Sequence, residues 1–194
     1  MKLRLLLLLG PGIFLVGCTA PAVAPQPTTT TTTSTTVEPP HGPLISLGKT
    51  DAAMGLRVIP IHLANCGDAP LTVTGYPALR VLDEDHQLVD AKVDNGADSV
   101  ALVPSLQQPP TMFTLAPGQQ AEASVLWKNR VTDSTVVATT GTYFDVAPVS
   151  GQPWQTRKPD GPIDLGNTGK LAVSPWTPGQ AEGNCQAPDR STGP

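Results

Sequence analysis

Cys18 is the residue of this chain whose surroundings indicate a specific chemistry. It ends the run Leu15-Val16-Gly17-Cys18, in which a small residue and a cysteine close an apolar segment. Lys2 and Arg4 precede that segment, so the order is basic, apolar and then small, as in a signal peptide. In the lipobox of a bacterial lipoprotein precursor, the cysteine thiol accepts a diacylglyceryl group, and cleavage then makes it the first residue. We therefore predict residues 1–17 to be a lipoprotein signal peptide and Cys18 to carry the lipid.

Two other interpretations of this N-terminus stay open. Ala22-Val23-Ala24 resembles an ordinary secretory cleavage site, although Pro25 would follow the cut and proline is a poor residue there. A retained anchor helix needs about 20 consecutive apolar residues, and the polar Thr/Pro stretch begins too soon for that. Lipidation accounts for the charge, the length, the small residue and the cysteine together. It predicts a protein held by its lipid at the extracytoplasmic face of the cell membrane.

The two remaining cysteines predict a disulfide. Once Cys18 is acylated, Cys66 and Cys185 form an even pair in an exported and therefore oxidising compartment. Neither belongs to a Cys-x-x-Cys motif or has a histidine at zinc-ligand spacing, which disfavours a metal site. A Cys66–Cys185 bond would close a loop of about 120 residues and stabilise the fold by about 4–5 kcal/mol in the chain-entropy model.

Residues that could support nucleophilic catalysis are dispersed. His41 falls at the edge of the linker, His62 on the polar face of a predicted strand, and His86 at a predicted hairpin tip. No Gly-x-Ser-x-Gly motif occurs, so a triad could form only if distant residues converge in the fold. We predict that the protein is not an enzyme.

Residues that could bind metal are equally scattered. Met54, Met112 and the histidines stand singly rather than in a shared motif of copper ligands. The acidic series from Asp83 to Asp98 lacks the glycine-punctuated loop of an EF-hand, and solvated turns explain it. We therefore predict neither a metal nor a cofactor.

Three tryptophans are the large aromatic side chains. Trp127 continues an alternating apolar row, and we predict it in the core beside the disulfide. Trp154 and Trp176 lie in the Pro-rich segments Gln152-Pro153-Trp154 and Pro175-Trp176-Thr177-Pro178. Because exposed aromatic residues anchor interfaces, both are candidate partner-binding residues. The alternative is that they act as structural lids over the ends of the domain.

The segment that follows Cys18 is predicted to be a disordered tether. Residues 19–40 read TAPAVAPQPTTTTTTSTTVEPP, and with so few large apolar side chains they cannot offset the entropy of ordering. Residues 18–43 therefore form a lipid-anchored linker, and about 150 residues remain for one domain with its own core. Cleavage would leave 10 basic against 16 acidic side chains, a net charge of −6. This balance, without a basic cluster, disfavours nucleic-acid partners.

The composition of the remaining chain indicates β-structure. Prolines recur so often from Pro43 to Pro178 that few windows could hold three helical turns. Short β-rich runs alternate with turn residues, which is the pattern of a sandwich or barrel. The predicted strands are Leu44–Leu47, Leu56–Ala64, Leu71–Thr74, Ala78–Leu82, Gln87–Lys92, Val100–Val103, Met112–Leu115, Ala121–Trp127, Val136–Val146 and Lys170–Val173. We predict an all-β antiparallel sandwich over residues 44–178 and a coil tail over 179–194, tied back by Cys185.

Alternation within two of these strands predicts which side chains face the core. The inward residues are Ile59, Ile61 and Leu63 in one strand and Ala121, Ala123, Val125 and Trp127 in the other. Pro60 has no amide hydrogen, which indicates an unpaired position or a bulge. Asp83–His86 is a predicted polar hairpin tip. Ala116–Gln119 is a predicted type II turn, because Pro117 and Gly118 occupy its central positions.

The folded part also resembles a known family. The resemblance rests on Leu63-Ala64-Asn65, on Gly75-Tyr76-Pro77 leading into Leu79–Asp83, and on Leu115–Gln119 followed by Ala121-x-Ala123-x-Val125-x-Trp127. These motifs resemble, in order, those of exported actinobacterial proteins that carry the domain of unknown function catalogued as forty-two thirty-two. The resemblance covers roughly residues 44–175 and implies an immunoglobulin-like β-sandwich, lipid-anchored behind a Thr/Pro-rich linker, with no established activity. The family commonly has a cysteine a few residues before its Gly-Tyr-Pro, whereas this chain has Thr72 in that region and Cys66 directly after Asn65. The resemblance therefore carries over no disulfide partner and no catalytic residue.

Together these features predict a lipid-anchored envelope lipoprotein that presents a non-catalytic binding or structural module. Its partners would be the membrane, through the lipid on Cys18, and an envelope protein or a cell-wall glycan. The alternative is an accessory lipoprotein that binds a small ligand or a metal ion for a transporter.

Overall fold

The computed structural model describes residues 41–133 and 135–186, with Ala181 described by its backbone alone. The predicted signal peptide, Cys18 and residues 19–40 of the predicted tether lie outside the described residues. In the described part the chain is all-β, and two single 3-10 turns are the helical elements assigned there. No helix among these residues is long and apolar enough to cross a membrane. The strands are β1 Pro43–Leu47, β2 Asp51–Ala53, β3 Leu56–Asn65, β4 Leu71–Val73, β5 Ala78–Leu82, β6 Lys92–Asn95, β7 Phe113–Leu115, β8 Gln119–Lys128, β9 Thr140–Gly141, β10 Tyr143–Ala147, β11 Gln155–Arg157, β12 Ile163–Asp164, β13 Lys170–Val173 and β14 Thr177–Glu182.

The main sheet has the order β1-β3-β8-β13-β6, and β2 and β14 also pair with β3 and β8. Its pairs are antiparallel except β6 and β13, which run parallel, so the prediction of a purely antiparallel sandwich is wrong in this pair. Residues 96–169 separate the two strands, which leaves room for the long connection that a parallel pair requires. Asp94 lies between Lys92 and Lys170 at 3.0 and 3.1 Å, and hydrogen bonds from both ammonium groups lower the pKa of its carboxyl group.

A second layer, the three-stranded sheet β11-β10-β5, packs on the main sheet. The core between the layers contains the predicted rows of β3 and β8, which are buried as expected, and apolar residues of β5 and β10. The largest of these buried side chains include Ile59, Ile61, Leu63, Trp127 and Phe144. The all-β sandwich predicted from alternation is therefore confirmed.

Pro60 marks a break in the pairing of β3, as its missing amide hydrogen predicts. The pairing with β1 ends at Leu47 opposite Ile61, and the pairing with β2 begins at Asp51 opposite Val58. The Pro60 carbonyl still accepts a hydrogen bond from the Gly48 amide at 2.8 Å. On this side of β3, strand pairing is thus interrupted at Pro60, which has no amide hydrogen to donate to a neighbouring strand.

Side chains of the second layer satisfy the free edge of β1. The Ile45 amide donates to Gln155 Oε1 at 3.0 Å, and the Arg157 guanidinium donates to the Ile45 carbonyl at 2.6 Å. Gln155 Nε2 also donates to the Pro43 carbonyl at 2.9 Å. Because unpaired strand edges invite association with other chains, these contacts both close the sandwich and protect β1.

A small second cluster covers part of the outer face of the main sheet. Leu126 of β8 and Ala172 of β13 point outward and pack against Ala97, with partly buried residues from Leu56 to Leu106 around them. The segment that covers them forms two 3-10 turns, Ala97–Ser99 and Pro104–Leu106. The predicted strand Val100–Val103 is therefore wrong, since Val100, Ala101 and Val103 pack onto this face instead.

The predicted strand Gln87–Lys92 is also wrong for most of its length. The hairpin tip forms as predicted, with the Asp83 amide donating to the Gln87 carbonyl at 3.0 Å. Beyond it, pairing is limited to an isolated bridge between Leu82 and Leu88, and the next strand begins only at Lys92.

The disulfide joins Cys66 and Cys185, as predicted, with Cα atoms 5.5 Å apart. The predicted coil tail is corrected, because β14 includes residues 179–182 and pairs antiparallel with β8. Gly183 then donates its amide to the Gly118 carbonyl at 2.7 Å, within the turn predicted at Ala116–Gln119. That turn has the type II features, with Gly118 at φ 81° and a 3.0 Å hydrogen bond from the Gln119 amide to the Ala116 carbonyl.

Trp127 lies in the core, but not beside the disulfide. It makes an edge-to-face contact with Phe144, with ring centroids 6.0 Å apart. Trp127 is opposite Arg57, near the start of β3, in the β3–β8 register. Cys66 comes directly after the other end of β3. Nine residues of extended chain correspond to about 30 Å, so the predicted proximity is wrong.

Candidate functional site

The two candidate tryptophans have opposite environments. Trp176 is 0% exposed, and its indole Nε1 donates to the Pro148 carbonyl at 2.6 Å. Its backbone amide donates to the Gly75 carbonyl at 2.9 Å. The prediction of Trp176 as a partner-binding residue is therefore wrong, because no part of its side chain reaches the surface. Trp154 is 42% exposed and remains a candidate.

Trp154 lies against an ion pair on the outer face of the second layer. Asp145 is directly opposite Arg80 on one side and Thr156 on the other, so the three side chains share one face of the sheet. Arg80 donates from Nε and Nη2 to Asp145 Oδ2 at 3.0 and 2.7 Å, and the Thr156 hydroxyl donates to Oδ1. The Arg80 guanidinium carbon lies 4.4 Å from the centroid of the Trp154 ring.

The burial of Asp145 explains why its carboxylate needs these partners. Asp145 is only 4% exposed, and a buried carboxylate without partners would be strongly destabilising. Here both of its oxygens accept hydrogen bonds, which also fixes the plane of the Arg80 guanidinium. Trp154 lies against this guanidinium as a cation–π pair, so the ion pair of the sheet supports one side of its ring.

A second stack of side chains stands beside the first on the same face. Tyr143 precedes Asp145 by two residues on β10, and its ring stacks on His86 with centroids 4.4 Å apart. Lys158 Nζ lies 5.6 Å from the Tyr143 centroid. We call Arg80, His86, Tyr143, Trp154 and Lys158 the aromatic strip.

Sequence analysis identified Trp154 but not the rest of the aromatic strip. His86 belongs to the predicted hairpin tip, and Tyr143 lies within the long predicted strand Val136–Val146. The alternation of Tyr143 and Asp145 with buried Phe144 and Val146 was the available signal that they face outward. Only the pairing of β5, β10 and β11 brings them next to Arg80 and Trp154.

The outer face of the main sheet carries a row of catalytic residue types. Ser46, His62 and Glu122 lie directly opposite one another on β1, β3 and β8. His62 Nδ1 lies 3.8 Å from Glu122 Oε1 and is a buried atom without a hydrogen-bond partner. Convergence of distant residues, which the sequence left open, therefore occurs here.

This row does not assemble the parts of a hydrolase site. An oxyanion site needs unpaired N–H donors beside the nucleophile, whereas the backbone here is engaged in the pairing of β1, β3 and β8. The chain also has the spacing Ser46-x-x-Lys49, which serves catalysis when both side chains share one helical turn. Here β1 ends at Leu47, so the helical geometry is missing.

The residues considered as metal ligands are not brought together. Met54 is fully exposed at the β2–β3 hairpin tip, and Met112 is largely exposed just before β7. Across residues 41–133 and 135–186, no three His, Cys, Asp or Glu side chains converge as a ligand set.

Open grooves indent the described surface. One lies between Tyr76, Asn95 and Pro109, a second beside Lys49 and Asp160, and a third beside Gly118 and Cys185. Trp154 lines none of these three. Lys158 of the aromatic strip lines the second groove, and the aromatic rings of the strip line none of the three.

The fold and the strip define a class of protein: an all-β sandwich domain with a disulfide-tied last strand and an exposed aromatic and cationic face. Residues 44–177 match the family model described as Domain of unknown function (DUF4232). The match spans more than half of the chain, so the chain belongs to this family, and the resemblance seen in its motifs is confirmed. No curated protein and no solved structure matches the chain significantly.

Proposed function

We propose that this protein is a lipid-anchored lipoprotein of the cell envelope and that its sandwich is a non-catalytic binding module. The lipid on Cys18 would hold it at the extracytoplasmic face of the cell membrane. The aromatic strip would be the contact surface for an envelope protein or a cell-wall glycan. Membership of the family supports the sandwich fold of this module.

The observation that carries the proposal is the exposed ring of Trp154, which lies against the Arg80 guanidinium. Tryptophan, tyrosine and arginine are the residue types enriched among the energetically dominant contacts of interfaces. Three residues of these types, Trp154, Tyr143 and Arg80, occupy one face of a three-stranded sheet. A large aromatic ring that is held in one orientation loses little side-chain entropy on binding.

The proposal that the module is non-catalytic is supported by the geometry of the Ser46–His62–Glu122 row. The row is open and lacks the oxyanion donors that acyl transfer needs. Reaction of the purified protein with a fluorophosphonate probe tests this directly. Labelling that disappears in Ser46→Ala would contradict the non-catalytic assignment.

Cross-linking on intact cells tests the binding role of the strip. We expect Trp154→Ala to remove a specific set of cross-linked envelope components while its β-sheet circular dichroism spectrum matches that of the wild type. Met54→Ala is the matched control, because Met54 is fully exposed and lies at the distant β2–β3 hairpin tip. An identical cross-linking pattern for wild type and Trp154→Ala would refute the proposal.

A further inference from the structure

We propose that the aromatic strip binds a glycan chain, with the exposed face of Trp154 stacked on a sugar ring. This inference rests on the proposed binding function and specifies its ligand. Arg80 and Asp145 are positioning residues in this arrangement, because they orient the indole ring rather than present the stacking surface themselves.

The rigidity of the strip is the first argument. Asp145 is buried and accepts three hydrogen bonds, two from Arg80 and one from Thr156. Arg80 in turn carries the Trp154 ring at 4.4 Å. The ring therefore presents a flat surface before any ligand arrives, which suits a ligand that is itself stiff and shallow.

The size of the face is the second argument. Three strands at 4.8 Å spacing and a central strand of five residues give a face of about 250 Å². A stable protein–protein contact typically buries about 800 Å² on each partner. The face alone therefore offers less area than a globular partner of ordinary size buries, and its dimensions fit a narrow, extended ligand.

The open shape of the face is the third argument. Small-molecule sites enclose 70–90% of their ligand, and proline-rich peptides bind in grooves between aromatic rings. Trp154 is 42% exposed, which is far more than a site that encloses its ligand would leave open. A sugar ring instead needs only a flat aromatic face, because its polarised C–H groups are attracted to the negative face of the ring.

The charge of the strip is the fourth argument. Asp145 Oδ2 lies 2.7 Å from Arg80 Nη2 and offsets the charge of Arg80. The strip and Asp145 together therefore have one net positive charge, which belongs to Lys158. The two ring stacks are centred on positions two residues apart on β10, about 7 Å along the strand. One sugar of a neutral or weakly acidic chain can therefore contact Trp154 while the next contacts the His86–Tyr143 stack. Hydroxyl oxygens of the sugars can accept hydrogen bonds from the Lys158 ammonium group.

Co-sedimentation of the full chain, kept in mild detergent, with an insoluble glycan tests the inference. The probes are protein-free peptidoglycan sacculi and chitin. We expect at least one of these two glycans to retain the wild type. Trp154→Ala should reduce that retention about tenfold, as the loss of a central aromatic contact does. Trp154→Phe should keep most of the binding, because it preserves an aromatic face, and Arg80→Gln should weaken it. Met54→Ala is the control variant with binding unchanged.

Fluorescence supplies a second readout that does not depend on retention. Trp154 is the exposed one of the three tryptophans, so soluble chitin oligosaccharides should change the emission of the wild type and not that of Trp154→Phe. Retention by neither glycan, or equal retention of wild type and Trp154→Ala, would overturn the inference.

The two proposals fail separately. Cross-links to a protein or a proline-rich peptide that depend on Trp154, without glycan retention, would refute the glycan and leave the binding function standing. Cross-linking and glycan retention that are each the same in wild type and Trp154→Ala would refute the two proposals together.

Discussion

At the scale of single residues, the surroundings of a side chain decide its role more than its local sequence does. Trp154 and Trp176 both follow a proline, and each belongs to a Pro-rich segment. Two hydrogen bonds, to Gly75 and Pro148, hold Trp176 in the core. Trp154 has a guanidinium on one side and solvent on the other.

The two tryptophans should therefore respond differently to the same substitution. Trp176→Phe removes the indole donor and leaves the buried Pro148 carbonyl without it, so we expect a loss of about 1–3 kcal/mol in the free energy of unfolding. Trp154→Phe should change that free energy by less than about 0.5 kcal/mol, as surface substitutions usually do. Urea unfolding followed by circular dichroism measures both. A larger loss for Trp154→Phe than for Trp176→Phe would contradict the assigned burial.

At the scale of elements, the short strand pair β9–β12 depends on the small size of one residue. Gly141 is buried in β9, and a Cβ atom added there would lie 2.1 Å from Val81 Cγ1. The backbone of β9 can therefore approach β5 only because this position has no side chain.

Gly141→Ala tests that close approach. We expect the substitution to destabilise the domain by about 1–3 kcal/mol, the usual cost of overpacking a core. Gly161→Ala is the matched control, because a Cβ atom at that position meets nothing within 4 Å. Thermal unfolding of the two variants measures the difference, and equal melting temperatures would show that the core yields at Val81.

The last strand is held by a covalent bond as well as by pairing. The Cys66–Cys185 disulfide closes a loop with a sequence separation of 119 residues, and β14 reaches it through the hydrogen bond of Gly183. A free-thiol assay on the denatured, unreduced domain should therefore find no reactive Cys66 or Cys185.

Reduction should weaken the whole domain. The chain-entropy model gives a loss of about 4–5 kcal/mol for a loop of this length. Guanidinium unfolding with and without reductant measures the loss. Two reactive thiols before reduction, or identical unfolding curves afterwards, would count against the bond.

At the scale of the whole molecule, the start of β1 lies close to the disulfide. The Cys66 amide donates to the Gly42 carbonyl at 2.9 Å, so the chain enters β1 at the same end as the disulfide.

Cys18→Ala tests the proposed anchor. We expect this variant to lose palmitate labelling and to leave the membrane fraction, because the lipid transferase needs the cysteine thiol. Ser34→Ala, which leaves the Leu15–Cys18 run intact, should keep both. Label that persists on Cys18→Ala would show that the lipobox assignment is wrong.

Local patterns determined much of the fold. Strict alternation in β3 and β8 predicted the two buried rows, because successive residues of a strand face opposite sides. Ala78–Leu82 and Lys170–Val173 were predicted with their observed bounds, and the Pro117-Gly118 turn followed from the backbone preferences of those two residues. The pairing of Cys66 with Cys185 followed from counting cysteines.

Pairing between distant strands decided the rest, because it depends on tertiary packing. Local propensity gave no sign of β14, whose Pro178 and Gly179 are poor strand residues, yet β8 and the disulfide hold it in the main sheet. Val100–Val103 has strand-forming residues, but this segment packs on the apolar outer face of the main sheet at Leu126 and Ala172 instead of forming a strand. For the candidate site, the sequence identified Trp154 alone. The register of β5, β10 and β11 placed Arg80 beside Asp145 and Trp154, since residues 60 or more positions apart become neighbours only through long-range pairing.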